Sequence, residues 1–171
     1  MNSPTVLALA LAGALAAPTV PAQTCNPAIR PSAPDARFII DSNQGTVLDT
    51  KTGLTWKRCP EGRSGAHCDL GSAVYLTWGL ALRRAEASAF AGHKDWRVPN
   101  SKELESLVEV QCVGPALNEN VFPNDPSNWV WASSPSANLA YYAWLVSFDY
   151  GYSYYDYRNG DYAVRLVRGG Q

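Results

Sequence analysis

KDWRVPNSKELESLVEV, residues 94–110, carries the strongest local signal in the chain. Asn100 stands three residues before Glu103, the spacing of a capping box, in which each side chain satisfies the backbone N–H of the other. Leu104, Leu107 and Val108 then share one helical face, and Pro99 fixes the backbone where the chain enters. Upstream, TWGLALRRAEASAFAG (77–92) repeats Trp78, Ala81, Leu82, Ala85 and Ala89 at helical spacing, with Thr77 as N-cap and Gly92 as stop. Around these helices the pattern changes to strand. In FIIDSNQGTVLDTKTGLTWKRC, Phe38 to Ile40, Thr46 to Leu48 and Leu54 to Lys57 read as short strands, with Thr50 to Gly53 turning between the last two.

Residues 114–135 hold four prolines among Asn, Asp and Ser and read as an irregular loop, with Trp129 and Trp131 plugging the core from it. Beyond it, YYAWLVSF alternates Tyr142, Trp144, Val146 and Phe148 as a strand. Asp149 to Gly151 turns the chain into a strand through Tyr154 to Tyr157. Asn159-Gly160 signals a hairpin into a last strand, AVRLV. Trp56, Trp96, Trp131 and Trp144 read as core.

The bulk numbers narrow the function classes. Val6 to Ala17 is uncharged and apolar, too short for a bilayer, and is followed by the small-residue site Val20-Pro21-Ala22. Residues 1–22 therefore read as a signal peptide, 23–37 as a Pro-rich arm and 38–171 as one domain, placed outside the cytoplasm: periplasmic, cell-surface or secreted. The remaining chain balances 14 Lys+Arg against 15 Asp+Glu without a basic stripe, so nucleic acid is not the expected partner, and no further segment suits a membrane span. Oligomeric state is not readable. Four cysteines in an exported chain favour disulfides. Of the three possible pairings, the short contour of CPEGRSGAHC favours Cys59 with Cys68, which leaves Cys25 for Cys112. A zinc site through His67 lacks a CxxC pair and a second nearby His.

GTVLDTKTGLTWKR, TWGLALRRAEA, HKDWRVPNSKELESLVE, PALNENVFPN, WVWASSP and YAVRLVRGG, in this order, resemble the C-terminal domain of the collagen-like adhesin family, the Lcl C-terminal domain, a domain of unknown function. The resemblance runs from about Gly45 to Gly170. It is most specific at Asp95 to Leu104 and at Val164 to Gly169. It implies an α+β, C-type-lectin-like fold: two short helices packed on small twisted antiparallel sheets, a long irregular loop region, and a ligand face near the C-terminal strands. Many relatives carry a bridged loop where Cys59 and Cys68 stand. No collagen-like repeat precedes the domain here, so the avidity of a multivalent stalk is not expected.

FDYGYSYYDYRNGDY (148–162) holds six of the nine tyrosines. Tyr is a good strand former, but Tyr154 and Tyr155 are adjacent and point to opposite faces of a strand, so at least one ring is displayed; Tyr141 and Tyr142 repeat the case. Large rings with little rotamer entropy, mixed with short polar side chains, form the composition of a binding surface. The expected ligand-binding residues are Asn138, Tyr141, Asp149, Tyr150, Tyr152, Tyr154, Tyr155, Asp156, Tyr157, Arg158, Asn159 and Asp161. Tyr, Asp, Asn, Ser and Gly are all reachable from an AAY codon by replacing adenines, and similar lectin-like domains are targets of diversity-generating retroelements. Residues 137–162 are thus expected to include a diversified region. The ligand is expected to be a protein or glycan at a cell surface. Three aspartates against Arg158 place polyanions below proteins.

No catalyst is expected. The related fold of formylglycine-generating enzymes needs a reactive cysteine pair, and the cysteines here are expected in bridges. His67 and His93 lie in loops, and Glu103, Glu105 and Glu109 read as a solvated helix face. Arg165 and Arg168 are expected to pair with acidic residues and hold the fold. No cofactor is expected; the alternative is calcium on the loop cluster Asn124, Asp125 and Asn128, which lacks EF-hand spacing.

Overall fold

The computed structural model of the chain describes residues 23–126 and 128–169; the expected signal peptide lies outside them. The fold is α+β, with two short α-helices among small, mainly antiparallel sheets. In chain order the early strands are β1 (Thr24–Cys25), β2 (Phe38–Asp41), β3 (Thr46–Asp49), β4 (Thr55–Lys57), β5 (Arg63–Ser64), β6 (Leu70–Gly71) and β7 (Tyr75–Leu76). Helices α1 (Trp78–Glu86) and α2 (Ser101–Glu105) follow. The later strands are β8 (Cys112–Val113), β9 (Trp129–Pro135), β10 (Tyr142–Ser147), β11 (Ser153–Tyr157), β12 (Tyr162–Ala163) and β13 (Val167–Arg168).

Two sheets carry the architecture, a five-stranded one in the order β11-β10-β9-β12-β7 and a four-stranded one in the order β13-β4-β3-β2. The predicted turn from Thr50 to Gly53 joins β3 to β4, with Gly53 at φ 73°. Along β10, Val146 joins a core with Leu104, Leu107, Trp56 and Phe122, while Ala143 and Leu145 join a second core with Ala81, Ala85, Trp96, Trp131 and Leu166. The large sheet is therefore covered on both faces. Of the tryptophans assigned to the core, Trp56, Trp96 and Trp131 are buried and Trp144 is half-buried.

The capping box forms as expected: the Glu103 N–H donates to Asn100 Oδ1 at 2.9 Å and the Asn100 N–H to Glu103 Oε2 at 2.7 Å. The rest of the motif fastens the C-terminal tail. Arg97 donates to both Glu103 oxygens at 2.7 Å and exchanges backbone bonds with Val167, while Arg168 pairs with Asp95 at 2.9 Å. Helix α2 stops at Glu105, earlier than its apolar face suggests. The Ser106 carbonyl accepts from Arg37 at 2.7 Å, and the Val110 N–H, which would continue the helix, donates to Ser32 Oγ at 2.9 Å. Leu107 and Val108 reach the core from the turn that follows. Helix α1 likewise ends at Glu86; Thr77 makes no side-chain cap bond, and Gly92 belongs to a separate 3-10 turn, Phe90–Gly92.

Two strand expectations are corrected. Trp129 to Pro135 is not loop but β9, the middle strand of the large sheet, with Pro135 at its end, where a missing N–H is tolerated. Asn159-Gly160 does not close a hairpin: β12 leaves β11 and pairs parallel with β9 and antiparallel with β7. Burial of Ala163, Val164 and Leu166 outweighs the local turn signal.

Both disulfides, Cys59–Cys68 and Cys25–Cys112, match the pairing favoured by contour. Glu109 does not belong to a solvated helix face. It is buried beyond α2, where it accepts backbone N–H bonds from Ser32, Ala33 and Gln111 and so anchors the arm that Cys25 tethers.

Candidate functional site

Strand β11 lies at one edge of the large sheet and pairs only with β10, in the register Tyr157 to Tyr142, Asp156 to Ala143, Tyr155 to Trp144, Tyr154 to Leu145 and Ser153 to Val146. The turn before it needs Gly151, at φ 78°; a Cβ there would stand 2.7 Å from Val108 Cγ1. Ser153 Oγ donates to Glu105 Oε1 at 2.7 Å and ties the edge strand to α2.

That register assembles a continuous aromatic ladder. The Tyr150 ring lies 6.3 Å from Tyr152, which meets Trp129 edge-on at 5.2 Å; Trp129 is 6.0 Å from Tyr154. Tyr154 and Tyr155 stack at 5.2 Å, nearly parallel. Tyr155 then touches Trp144 at 5.6 Å and Tyr142 at 5.7 Å, and Tyr142 meets Tyr157 at 4.2 Å. Contacts of this kind add about 0.5–1.5 kcal/mol each beyond burial, so the rings hold one another in place. They are nonetheless displayed: Tyr150, Tyr152, Tyr154 and Tyr157 keep between 51% and 65% of their surface exposed.

The other expected residues divide. Asn159 and Asp161 are exposed in the segment after β11, and Asn138 and Tyr141 before β10, where the Tyr141 carbonyl accepts the Arg158 N–H at 2.9 Å. Asp149 is half-buried in the turn. Asp156 faces inward and accepts from the Tyr162 hydroxyl and, at 2.7 Å, from the Tyr157 N–H. Arg158 is not a free cation; its guanidinium lies 4.3 Å over the Trp78 ring and donates to the Tyr142 carbonyl at 3.1 Å. Trp129, Tyr142 and Trp144 complete the ladder but were absent from the expected set, because the cross-strand register that recruits them is nonlocal.

Electrostatics follow from these contacts. Burial and the Asp156 carboxylate push the Tyr162 phenol up to about 12. Hydrogen bonding to Tyr157, burial and the charges of Tyr157 and Asp156 push Tyr142 up to about 12. Both rings therefore stay neutral at physiological pH.

A family model described as the Lcl C-terminal domain matches residues 45–168, a span that takes in the capping-box motif, α1, α2 and the whole ladder. The chain belongs to the Lcl C-terminal domain family. No curated protein matches it. In this Lcl C-terminal domain the signature from Asp95 to Leu104 is accounted for as architecture, by the capping box and the tail pairs it makes.

The calcium alternative meets other demands on its residues. Asp125 is paired with the buried Arg165, Asn124 donates to the His67 carbonyl at 2.8 Å, and Asn128 accepts from the Trp129 N–H at 2.9 Å. Among the described residues no group of three or more His, Cys, Asp or Glu gathers as a metal site.

Proposed function

We propose that this domain is an exported binding protein that holds a macromolecular ligand, a protein before a polyanionic glycan, on the aromatic ladder. The observation that carries this reading is the ladder itself: eight rings in continuous contact on an edge strand and its neighbours, with Tyr150, Tyr152, Tyr154 and Tyr157 more than half exposed. Rings already ordered before binding lose little entropy on contact. Two disulfides among the described residues suit a chain that works outside a reducing cytoplasm, and no described helix is long and apolar enough to cross a membrane. With all four cysteines bridged, the thiols of formylglycine-type chemistry are not at hand, and the domain acts as a binder without cofactor.

The retroelement reading belongs to the same proposal. Between residues 137 and 162 the exposed positions are drawn from the Tyr, Asn and Asp set, apart from Ala137, Leu139 and Ala140, whereas Ala143, Leu145, Val146 and Phe148 are buried. A diversified surface on an invariant frame would have this division. It requires a nearby copy of the coding segment that differs at adenines, beside a reverse-transcriptase gene.

The binding test probes an array of purified cell-surface proteins and glycans with the wild type and with Tyr152→Ala/Tyr154→Ala/Tyr157→Ala. The variant unfolds cooperatively and loses the protein spots held by the wild type. Equal capture by both, or binding confined to sulfated glycans, contradicts the reading.

A further inference from the structure

The edge strand narrows the kind of ligand, because its backbone is poorly placed to accept another strand. The Tyr152 carbonyl accepts from the Ser147 N–H and the Arg158 N–H donates to the Tyr141 carbonyl, both at 2.9 Å. By antiparallel alternation Tyr154 and Asp156 also face β10, and Ser153, Tyr155 and Tyr157 turn their backbone groups to the free side. There the Tyr157 N–H is taken by Asp156 and its carbonyl accepts from the Gly160 N–H at 2.9 Å. Tyr154 and Tyr155, successive residues that a strand aims to opposite faces, nonetheless stack at 5.2 Å, nearly parallel, while Tyr154 also meets Trp129 and Tyr155 meets Trp144. At the Tyr157 end of the edge a partner therefore meets side chains, and addition of a strand is blunted there.

Those side chains have a sign. Residues 148–162 carry Asp149, Asp156 and Asp161 against Arg158 alone; Asp156 is bonded to Tyr162 and Arg158 is held on Trp78 and the Tyr142 carbonyl, which leaves Asp149 and Asp161 as the charges beside the rings. Glu105 borders the strand through Ser153 and is paired with Lys102. The ladder thus offers ring faces, whose quadrupoles attract cations, within a rim of excess negative charge.

We propose that the ladder receives a basic protein surface whose arginine and lysine side chains lie against the exposed tyrosine faces, with Asp149 and Asp161 as their counter-charges; this rests on the ladder being a protein-binding face. Complementary charge sets the partner, steering a basic surface in and turning heparin-like chains away. Stacked guanidinium groups bring apolar contact as well as charge, so the rings and the carboxylates act together.

The experiment titrates the full domain with a short peptide alternating arginine and threonine, with the same peptide carrying glutamate in place of arginine, and with heparin, following Trp fluorescence and tyrosine ring NMR signals at two salt concentrations. The arginine peptide binds and shifts the Tyr152, Tyr154 and Tyr157 rings, and its affinity falls with salt. Asp149→Asn/Asp161→Asn weakens it about tenfold, the effect of two partly screened charges. Neither the glutamate peptide nor heparin binds. Absence of arginine-peptide binding, equal binding of the glutamate peptide, heparin binding, or an unchanged affinity in the double aspartate variant each overturns the inference. If array capture is lost in the tyrosine variant but kept in Asp149→Asn/Asp161→Asn, the ladder remains a protein-binding face and only its preference for a basic partner falls.

Discussion

Replacing Glu109 with glutamine tests how the N-terminal arm is held to the domain. Glu109 Oε1 accepts from the Ser32 N–H at 3.0 Å, the Gln111 N–H at 3.0 Å and Ser32 Oγ at 3.3 Å, and Oε2 accepts from the Ala33 N–H at 2.9 Å. A glutamine keeps one oxygen. Its less costly orientation leaves that oxygen on Ser32 and Gln111 and sets the amide nitrogen against the Ala33 N–H, donor facing donor. Loss of one charge-assisted bond, an unpaired buried N–H and the weakening of the remaining bonds together cost about 3 kcal/mol. For a domain of this size that lowers Tm by about 6–12 °C at pH 7. The pH dependence has a definite sign. Burial raises the Glu109 pKa, but the N–H bonds from Ser32, Ala33 and Gln111 outweigh it and leave the carboxyl below its ordinary value. A depressed folded-state pKa gives stability that is present above the unfolded value and is lost as pH falls through the folded one. The Tm gap between wild type and Glu109→Gln therefore narrows below about pH 4. Thermal unfolding followed by circular dichroism at pH 7, 5 and 3 reads both effects. Equal Tm values at pH 7, or a gap that widens in acid, would refute the anchoring role.

Asp125→Asn leaves the fully buried Arg165 without its counter-charge and destabilises by about 3–5 kcal/mol in denaturant titration; added calcium leaves the wild-type midpoint where it was. Gly151→Ala forces a side chain into a left-handed turn and against Val108 and Ala116, costs about 2 kcal/mol by the same titration, and broadens the ring signals of Tyr150 and Tyr152 in NMR spectra.

Much of this fold was legible where the signal is local. The capping box of Asn100 and Glu103, the turn at Thr50 to Gly53 and the short Cys59–Cys68 loop each need only neighbouring residues, and each forms as read. Strand β9 was hidden because its aromatic and β-branched run, Trp129 to Ala132, is short and lies in a stretch dominated by Pro, Asn and Asp. Asn159-Gly160 misled for the converse reason: a real turn signal was outweighed by burial of the chain beyond it, where Ala163 pairs with the distant Val130. The ladder was half visible. Its tyrosines stand together in sequence, whereas Trp129 and Trp144 join them only through cross-strand register and were read as core. Glu109 shows the same limit, since spacing put it on a helix that stops before reaching it.

Chemical nitration of the native protein, mapped residue by residue with mass spectrometry, measures ring display without needing a ligand. Tyr141, Tyr150, Tyr152, Tyr154 and Tyr157 react at low reagent, while Tyr162, packed on Trp131 and bonded to Asp156, reacts only after unfolding. Protection of Tyr152, Tyr154 and Tyr157 to the level of Tyr162 would show rings committed to the interior and contradict the binding face.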